Sequence, residues 1–175
     1  MNTQPKTNKM ATKSIKKLQA DLSKAIRIVA VAFEGKFDRS GIPYFEHCYT
    51  VMSNLNTDDI ELKIIAILHD LIEDCPEWTI ERLREEGFTE RVLDSLVLLT
   101  RDHSDMSDEA YDAYIHGIGT NFDAARVKVK DNEHNMDLTR LKTINENALR
   151  RNLKYGKARN FLMEKIDDFL GKGAK

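Results

Sequence analysis

The sequence predicts an all-α protein folded as a single domain of about seven or eight helices. Three observations predict this. Apolar residues recur at helical spacing along most of the chain, and the run Val127-Lys128-Val129 is too short to count as a strand. Gly35, Pro43, Pro76 and Gly87 fall where those periodic segments stop or start. One stretch, Ile60 to Asp74, is apolar around too much of its circumference for a surface helix, so it is expected to be buried on most sides and to organise the rest.

Composition limits the functional classes. A chain of 175 residues suits one domain with a sizeable core. Its 41% hydrophobic and 32% charged residues suit helices with well-solvated outer faces. A formal net charge of -2 gives no electrostatic reason to expect nucleic acid or an anionic membrane as partner. No apolar run reaches the roughly 18 residues of a membrane span. The opening MNTQPKTNKMATKS lacks the apolar segment of a secretory signal, so a cytoplasmic protein is expected. Cys48 and Cys75 form no CxxC and read as two reduced thiols packed against the core.

The elements follow in order. Residues 1–13 are polar and aperiodic and are expected to be a disordered tail, leaving 14–175 as the domain. Ser14 is a plausible N-cap for a first helix to about Glu34, with Ile15, Leu18, Leu22, Ala25, Ile26, Val29 and Phe33 as its stripe and Gly35 closing it. Gly35 to Pro43 is a loop, and Pro43 suits the first turn of a second helix to about Asn54. Asp58 with Glu61 resembles a capping box for the central helix, which Pro76 stops. Thr79 caps a short helix ended by Gly87, and Thr89 caps another carrying Val92, Leu93, Leu96 and Leu99. Arg101 to Met106 is a polar loop. Ser107 opens a helix to about His116, and Asn121 opens one that leads into Lys130 and beyond. The last helix runs from about Asn145 to Leu170.

The central helix carries a conflict. His69, Asp70, Glu73 and Asp74 lie inside an apolar segment, and acids near a helix C-terminus oppose its dipole. Buried charge without a partner costs several kcal/mol, so a cation is expected to face them. His47 on the second helix and Asp131 at the end of an apolar-flanked stretch complete two imidazoles and two carboxylates. Such a mixed nitrogen and oxygen set suits Mn²⁺, Fe²⁺, Zn²⁺ or Mg²⁺, with Mn²⁺ favoured by the carboxylate share. A metal held this way polarises phosphoryl groups and acidifies water.

These residues also carry a family resemblance. The order His47, His69-Asp70, Asp131 is similar to the HD-domain metal-dependent phosphohydrolases. Within them, Arg39-Ser40-Gly41-Ile42-Pro43-Tyr44 followed by His47 resembles the RSGxPYxxH signature of alarmone hydrolase domains. Ala66 to Cys75 resembles their ALLHDxIEDT, and Lys128 to Met136 their KLADRLHNM. The chain departs from the pattern at Asp38, Cys48, Lys130 and Glu133. The resemblance, which spans roughly residues 20 to 145, implies an HD-domain helical bundle that hydrolyses (p)ppGpp with Mn²⁺, releasing the 3′-pyrophosphate. It implies metal ligands at His47, His69, Asp70 and Asp131, catalytic roles beside the attacking water for Glu73 and Asp74, and substrate contacts from Arg39, Ser40 and Asn135. Alarmone synthesis is not expected. Two alternatives stay open: a nucleotide monophosphatase or NADPH phosphatase on the same scaffold, and a nucleotide-binding sensor without turnover.

Other residues have plainer readings. Lys128 and Lys130 are expected to be solvated, and the charge run Glu81 to Glu86 to be a solvated helix face. His103, His116 and His134 are expected to be surface or packing histidines, and Tyr111 with Tyr114 to line a pocket or pack in the core.

Overall fold

The computed structural model describes residues 6–173 and the side-chain environments of residues 14–171. Within these, the helices are α1 (Lys6–Ala32), α2 (Tyr44–Asn54), α3 (Ile60–Leu68), α4 (Leu71–Asp74), α5 (Ile80–Glu85), α6 (Glu90–Leu99), α7 (Asp108–Ile118), α8 (Phe122–Met136) and α9 (Glu146–Gly173). A 3₁₀ turn at Leu138–Arg140 joins α8 towards α9. No strand occurs among the described residues beyond a single bridge between Phe37 and Pro43. The all-α expectation holds. Of the expected tail at 1–13, residues 1–5 lie outside the described residues, and from Lys6 onward the backbone is helical rather than irregular.

The segment singled out by its all-round apolarity is the centre of the molecule. Leu62, Ile64, Ile65, Ala66, Ile67 and Leu68 of α3 are each 1% exposed or less. They are enclosed by α1, α2, α6 and α8. Burying one such branched aliphatic side chain contributes roughly 1.5–3 kcal/mol, so α3 is the most heavily anchored element. α9 lies along α8 and covers its outer side.

Side-chain caps set most of the helix starts. The carboxylate of Asp59, not Asp58, caps α3 by accepting the Leu62 amide at 3.1 Å. Glu61 closes no capping box: its carboxylate takes the Thr89 hydroxyl at 2.5 Å and Arg91 at 3.2 Å. Thr79, Ser107 and Asn121 cap α5, α7 and α8 as their positions predict. Asn145 caps α9 by accepting the Ala148 amide at 2.9 Å.

The central helix is not continuous. The sequence predicts one helix from Ile60 to Asp74, but α3 ends at Leu68 and the chain resumes as α4 at Leu71, with Asp70 at φ -100°, ψ -1°. Neighbouring residues on an unbroken α-helix point about 100° apart, so His69 and Asp70 would face different ways. Placing Asp70 in the sparsely populated bridge region swings both side chains to one side.

Candidate metal centre

Three separate parts of the chain converge at that break. His47 comes from α2, His69 and Asp70 from the α3–α4 junction, and Asp131 from α8. His69 Nε2 lies 3.0 Å from Asp70 Oδ2, and His47 Nε2 lies 3.3 Å from the same oxygen. Asp131 Oδ1 is 3.2 Å from His47 Nε2 and 3.7 Å from His69 Nε2, and the two Nε2 atoms are 3.3 Å apart. An ion bonded at about 2.0–2.2 Å to nitrogen and oxygen ligands spaces neighbouring ligand atoms by about 3.0–3.5 Å. Four of the five observed separations fall within that spacing, and the fifth, His69 to Asp131 at 3.7 Å, lies just beyond it. The four residues brought together are the four predicted as ligands.

Each ligand is held from behind. His69 Nδ1–H donates to the Ala66 carbonyl at 2.8 Å, which turns Nε2 towards the centre. Asp131 accepts Lys128 Nζ on Oδ2 at 2.8 Å and Asn135 Nδ2 on Oδ1 at 2.5 Å. Tyr44 donates its hydroxyl to Asp70 Oδ2 at 2.7 Å. His47 Nδ1 meets His134 Nδ1 at 2.7 Å. Burial opposes charge on His47, His69, Asp70 and Asp131, yet their partners outweigh it. The charge of His69 and the hydrogen bonds of both imidazoles hold Asp70 below the usual carboxylate range, and Lys128 with the two imidazoles does the same for Asp131. His69 is raised to about 10 against its own burial by Asp70 and Asp131. His47 is raised by hydrogen bonds and charge from the same two acids. Burial, with His47 and Arg140 nearby, pushes His134 down to about 4. The cluster thus binds cationic character strongly, as a metal site must. Cys48 Sγ also approaches His69 and Asp70, but burial and the charges of Asp70 and Asp131 push its thiol well up, which disfavours the ligating thiolate.

His47, Asp70 and Asp131 line the floor of a cleft of about 540 Å³, with His69 buried beneath them, within the size range of small-molecule sites. Glu73, Asp74, Arg39, Ser40 and Asn135 all line it. Asp74 has its pKa raised by burial and by the charges of Asp70 and Glu73. Glu73 is oriented by two donors, the Arg101 amide at 3.0 Å and His103 Nε2 at 2.6 Å. Arg39 and Ser40 sit in a tight turn whose fourth position, Gly41, has φ +81°. Asp38 organises that turn by accepting the Ser40 and Ile42 amides at 2.8 and 3.0 Å.

Several residues with plainer expectations lie in or beside the cleft. Lys128 is buried against Asp131 and over the Tyr114 ring, not solvated. His103 and His134 touch Glu73 and His47. Tyr111 and Tyr114 line the cleft, and the Tyr111 hydroxyl and Arg101 Nη2 are buried without a partner there. Unpaired donors buried in a cleft are costly unless a ligand supplies acceptors. The pocket-lining alternative for Tyr111 and Tyr114 is the one the structure shows, whereas the only trace of Arg101 in the sequence is the clustering of polar and aromatic residues between Arg101 and Tyr114. Lys130 and Glu133, the charged departures beside Asp131, pair with one another at 2.8 Å, and Glu133 also binds Arg159 of α9. They are neutralised away from the centre. His116 packs its ring on Phe161, as a packing histidine does.

No family model matches the chain. A guanosine-3′,5′-bis(diphosphate) 3′-pyrophosphohydrolase of Haemophilus influenzae is 35% identical over 116 residues, a match that covers 60% of this chain. The match spans only 16% of that protein's length. Among solved structures, a metazoan SpoT ortholog described as hydrolysing ppGpp, with a role in starvation responses, aligns with a TM-score of 0.71. That alignment covers 87% of this chain and 95% of the other at 19% identity. The chain therefore has the all-helical fold of that hydrolase, and its sequence is similar to the bacterial pyrophosphohydrolase.

Proposed function

We propose that this chain is a metal-dependent (p)ppGpp 3′-pyrophosphohydrolase that uses Mn²⁺ and acts in the cytoplasm. The observation that carries the reading is the convergence of His47, His69, Asp70 and Asp131 at the floor of a nucleotide-sized cleft. The fold and the similarity to the bacterial pyrophosphohydrolase support the choice of substrate. No helix among the described residues is long and apolar enough to cross a membrane, which agrees with a small soluble substrate.

A divalent ion held by the four ligands would supply Lewis-acid polarisation of a phosphoryl group and a more acidic water. The chain's own residues do the rest. Asp74, with its raised pKa, accepts a proton from the attacking water while the bond between phosphorus and the ribose 3′ oxygen breaks, and that proton is passed on to the departing 3′ oxygen, which leaves as a hydroxyl. Glu73, clamped by Arg101 and His103, fixes the direction of that attack. Arg39 and Ser40 offer a charged fork and a hydroxyl from the neighbouring turn. The unpaired Arg101 Nη2 and Tyr111 hydroxyl meet anionic oxygens further along the cleft. One water is consumed, and GDP and pyrophosphate leave.

The test is incubation of Mn²⁺-loaded protein with ppGpp and separation of products by anion exchange. GDP with pyrophosphate is expected. Asp70→Asn should lose metal and reduce turnover at least about 100-fold, with unchanged far-UV circular dichroism. Release of orthophosphate from a nucleoside monophosphate, with ppGpp untouched, would assign the same centre to a monophosphatase. Unaltered turnover in Asp70→Asn would remove the metal mechanism.

A further inference from the structure

Metal-binding histidines usually donate their second ring nitrogen to a carbonyl or a carboxylate. His69 does so, through Ala66. His47 does not: its Nδ1 faces another imidazole, His134 Nδ1, at 2.7 Å. The direction of that bond follows from what surrounds it. His47 Nε2 points at His69, Asp70 and Asp131, so a ligating His47 keeps its lone pair there and carries its proton on Nδ1. His134 Nδ1 must then accept. A second neighbour agrees, because the Arg140 guanidinium only donates, and its Nη1 lies 3.2 Å from the same nitrogen and 2.9 Å from the His134 carbonyl. Arg140 Nη2 in turn pairs with Asp38 Oδ2. The other oxygen of Asp38 holds the amides of Ser40 and Ile42.

We propose that His134 is a positioning residue that accepts the Nδ1–H of His47, and that Arg140 and Asp38 extend this contact from the metal centre to the turn carrying Arg39 and Ser40. The inference rests on the metal-site reading but not on the identity of the substrate. It gives His134 a defined state, neutral with its proton on Nε2. It also gives the chain a continuous set of side chains from α2 through α8 and the 3₁₀ turn to the 38–42 turn, so that the same contacts orient a metal ligand and the proposed substrate contacts.

The experiment is calorimetric titration of the metal-free protein with MnCl₂, beside nitrogen-15 NMR of the histidine rings in Zn²⁺-loaded wild type. His134→Ala should weaken Mn²⁺ binding about 10–100-fold with the fold intact. His134→Gln, whose carbonyl can accept from His47, should recover most of that loss. The NMR spectrum should show His134 as the Nε2–H tautomer. Mn²⁺ affinity within threefold of wild type in a folded His134→Ala, or His134 found as the Nδ1–H tautomer, would overturn the proposal. If His134→Ala does not fold, the tautomer in wild type decides. Wild-type protein that binds Mn²⁺ but leaves ppGpp intact would remove the substrate reading and leave this one standing.

Discussion

Lys128 shows how much of the centre depends on single residues. Its ammonium is buried at 2.8 Å from Asp131 and over the Tyr114 ring, and the charges of Asp131 and Asp70 hold its pKa well above the ordinary lysine value against its burial. Removing one partner of a buried pair leaves the other charge uncompensated, which typically costs about 3–5 kcal/mol. In metal-free protein, Lys128→Met should therefore lower Tm by roughly 6–20 °C for a domain of this size. A divalent ion supplies positive charge to the same carboxylate, so Mn²⁺ should raise the Tm of the variant by more than it raises that of wild type. Equal shifts in a thermal melt would show that Lys128 and the metal do not share Asp131. The four proposed ligands were legible in the sequence because histidine and aspartate in apolar helices are conspicuous. Lys128 and His134 were not, because their roles are set by residues distant in sequence: Lys128 lies over Tyr114, and His134 is opposed by His47. Asn135 was expected at the substrate, and it does line the cleft, but the bond it makes is to Asp131.

At the scale of elements, turns and breaks position these residues. Gly41 sits at φ +81°, and a side chain there would meet only Lys142 Nζ at 3.8 Å. Space is available and the backbone angle is the constraint, so Gly41→Ala is expected to cost about 1–2 kcal/mol from the left-handed conformation alone. The strain falls on the turn that presents Arg39 and Ser40, whereas α3 and the ligands are untouched. The expected kinetic result is a KM raised several-fold with Mn²⁺ affinity unchanged, measured by initial rates and calorimetry. A fall in kcat alone would place the turn outside substrate binding. Periodicity revealed where α3 lies and that it is buried all round, because six consecutive-range positions of Leu, Ile and Ala leave no face for water. It could not reveal the break at His69–Asp70, since the apolar pattern runs on through Leu71 and Ile72 while the dihedral angles change. The start of α1 was missed for a related reason: Lys6 to Lys13 has helix-compatible residues but no apolar stripe to mark it.

At the scale of the whole molecule, the centre ties together parts of the chain that are far apart in sequence. His47, the His69–Asp70 pair and Asp131 come from α2, the α3–α4 junction and α8, and no unfolded chain holds them within bonding distance of one ion. A metal that binds only the folded state stabilises it by mass action, about 2.7 kcal/mol at a hundred times Kd. The gain depends on pH, and its sign follows from the imidazoles. His69 is raised from 6.5 to about 10 in the folded protein, so the stability that its proton confers on the metal-free form is fully present below 6.5 and is lost as pH rises towards 10. The same proton must leave Nε2 before a metal can occupy that position, so metal affinity increases as pH rises. Both effects concern one proton, which the metal must displace at low pH and need not displace once it has titrated away. The gap in Tm between Mn²⁺-loaded and metal-free protein should widen from pH 6.5 to pH 8.5, and calorimetry in buffers of different ionisation enthalpy should detect protons released on binding. Asp131→Asn should remove most of the gap at every pH. A gap that stays constant with pH, with no proton release, would mean that His69 is already neutral in the metal-free fold and that Asp70 and Asp131 do not hold its proton.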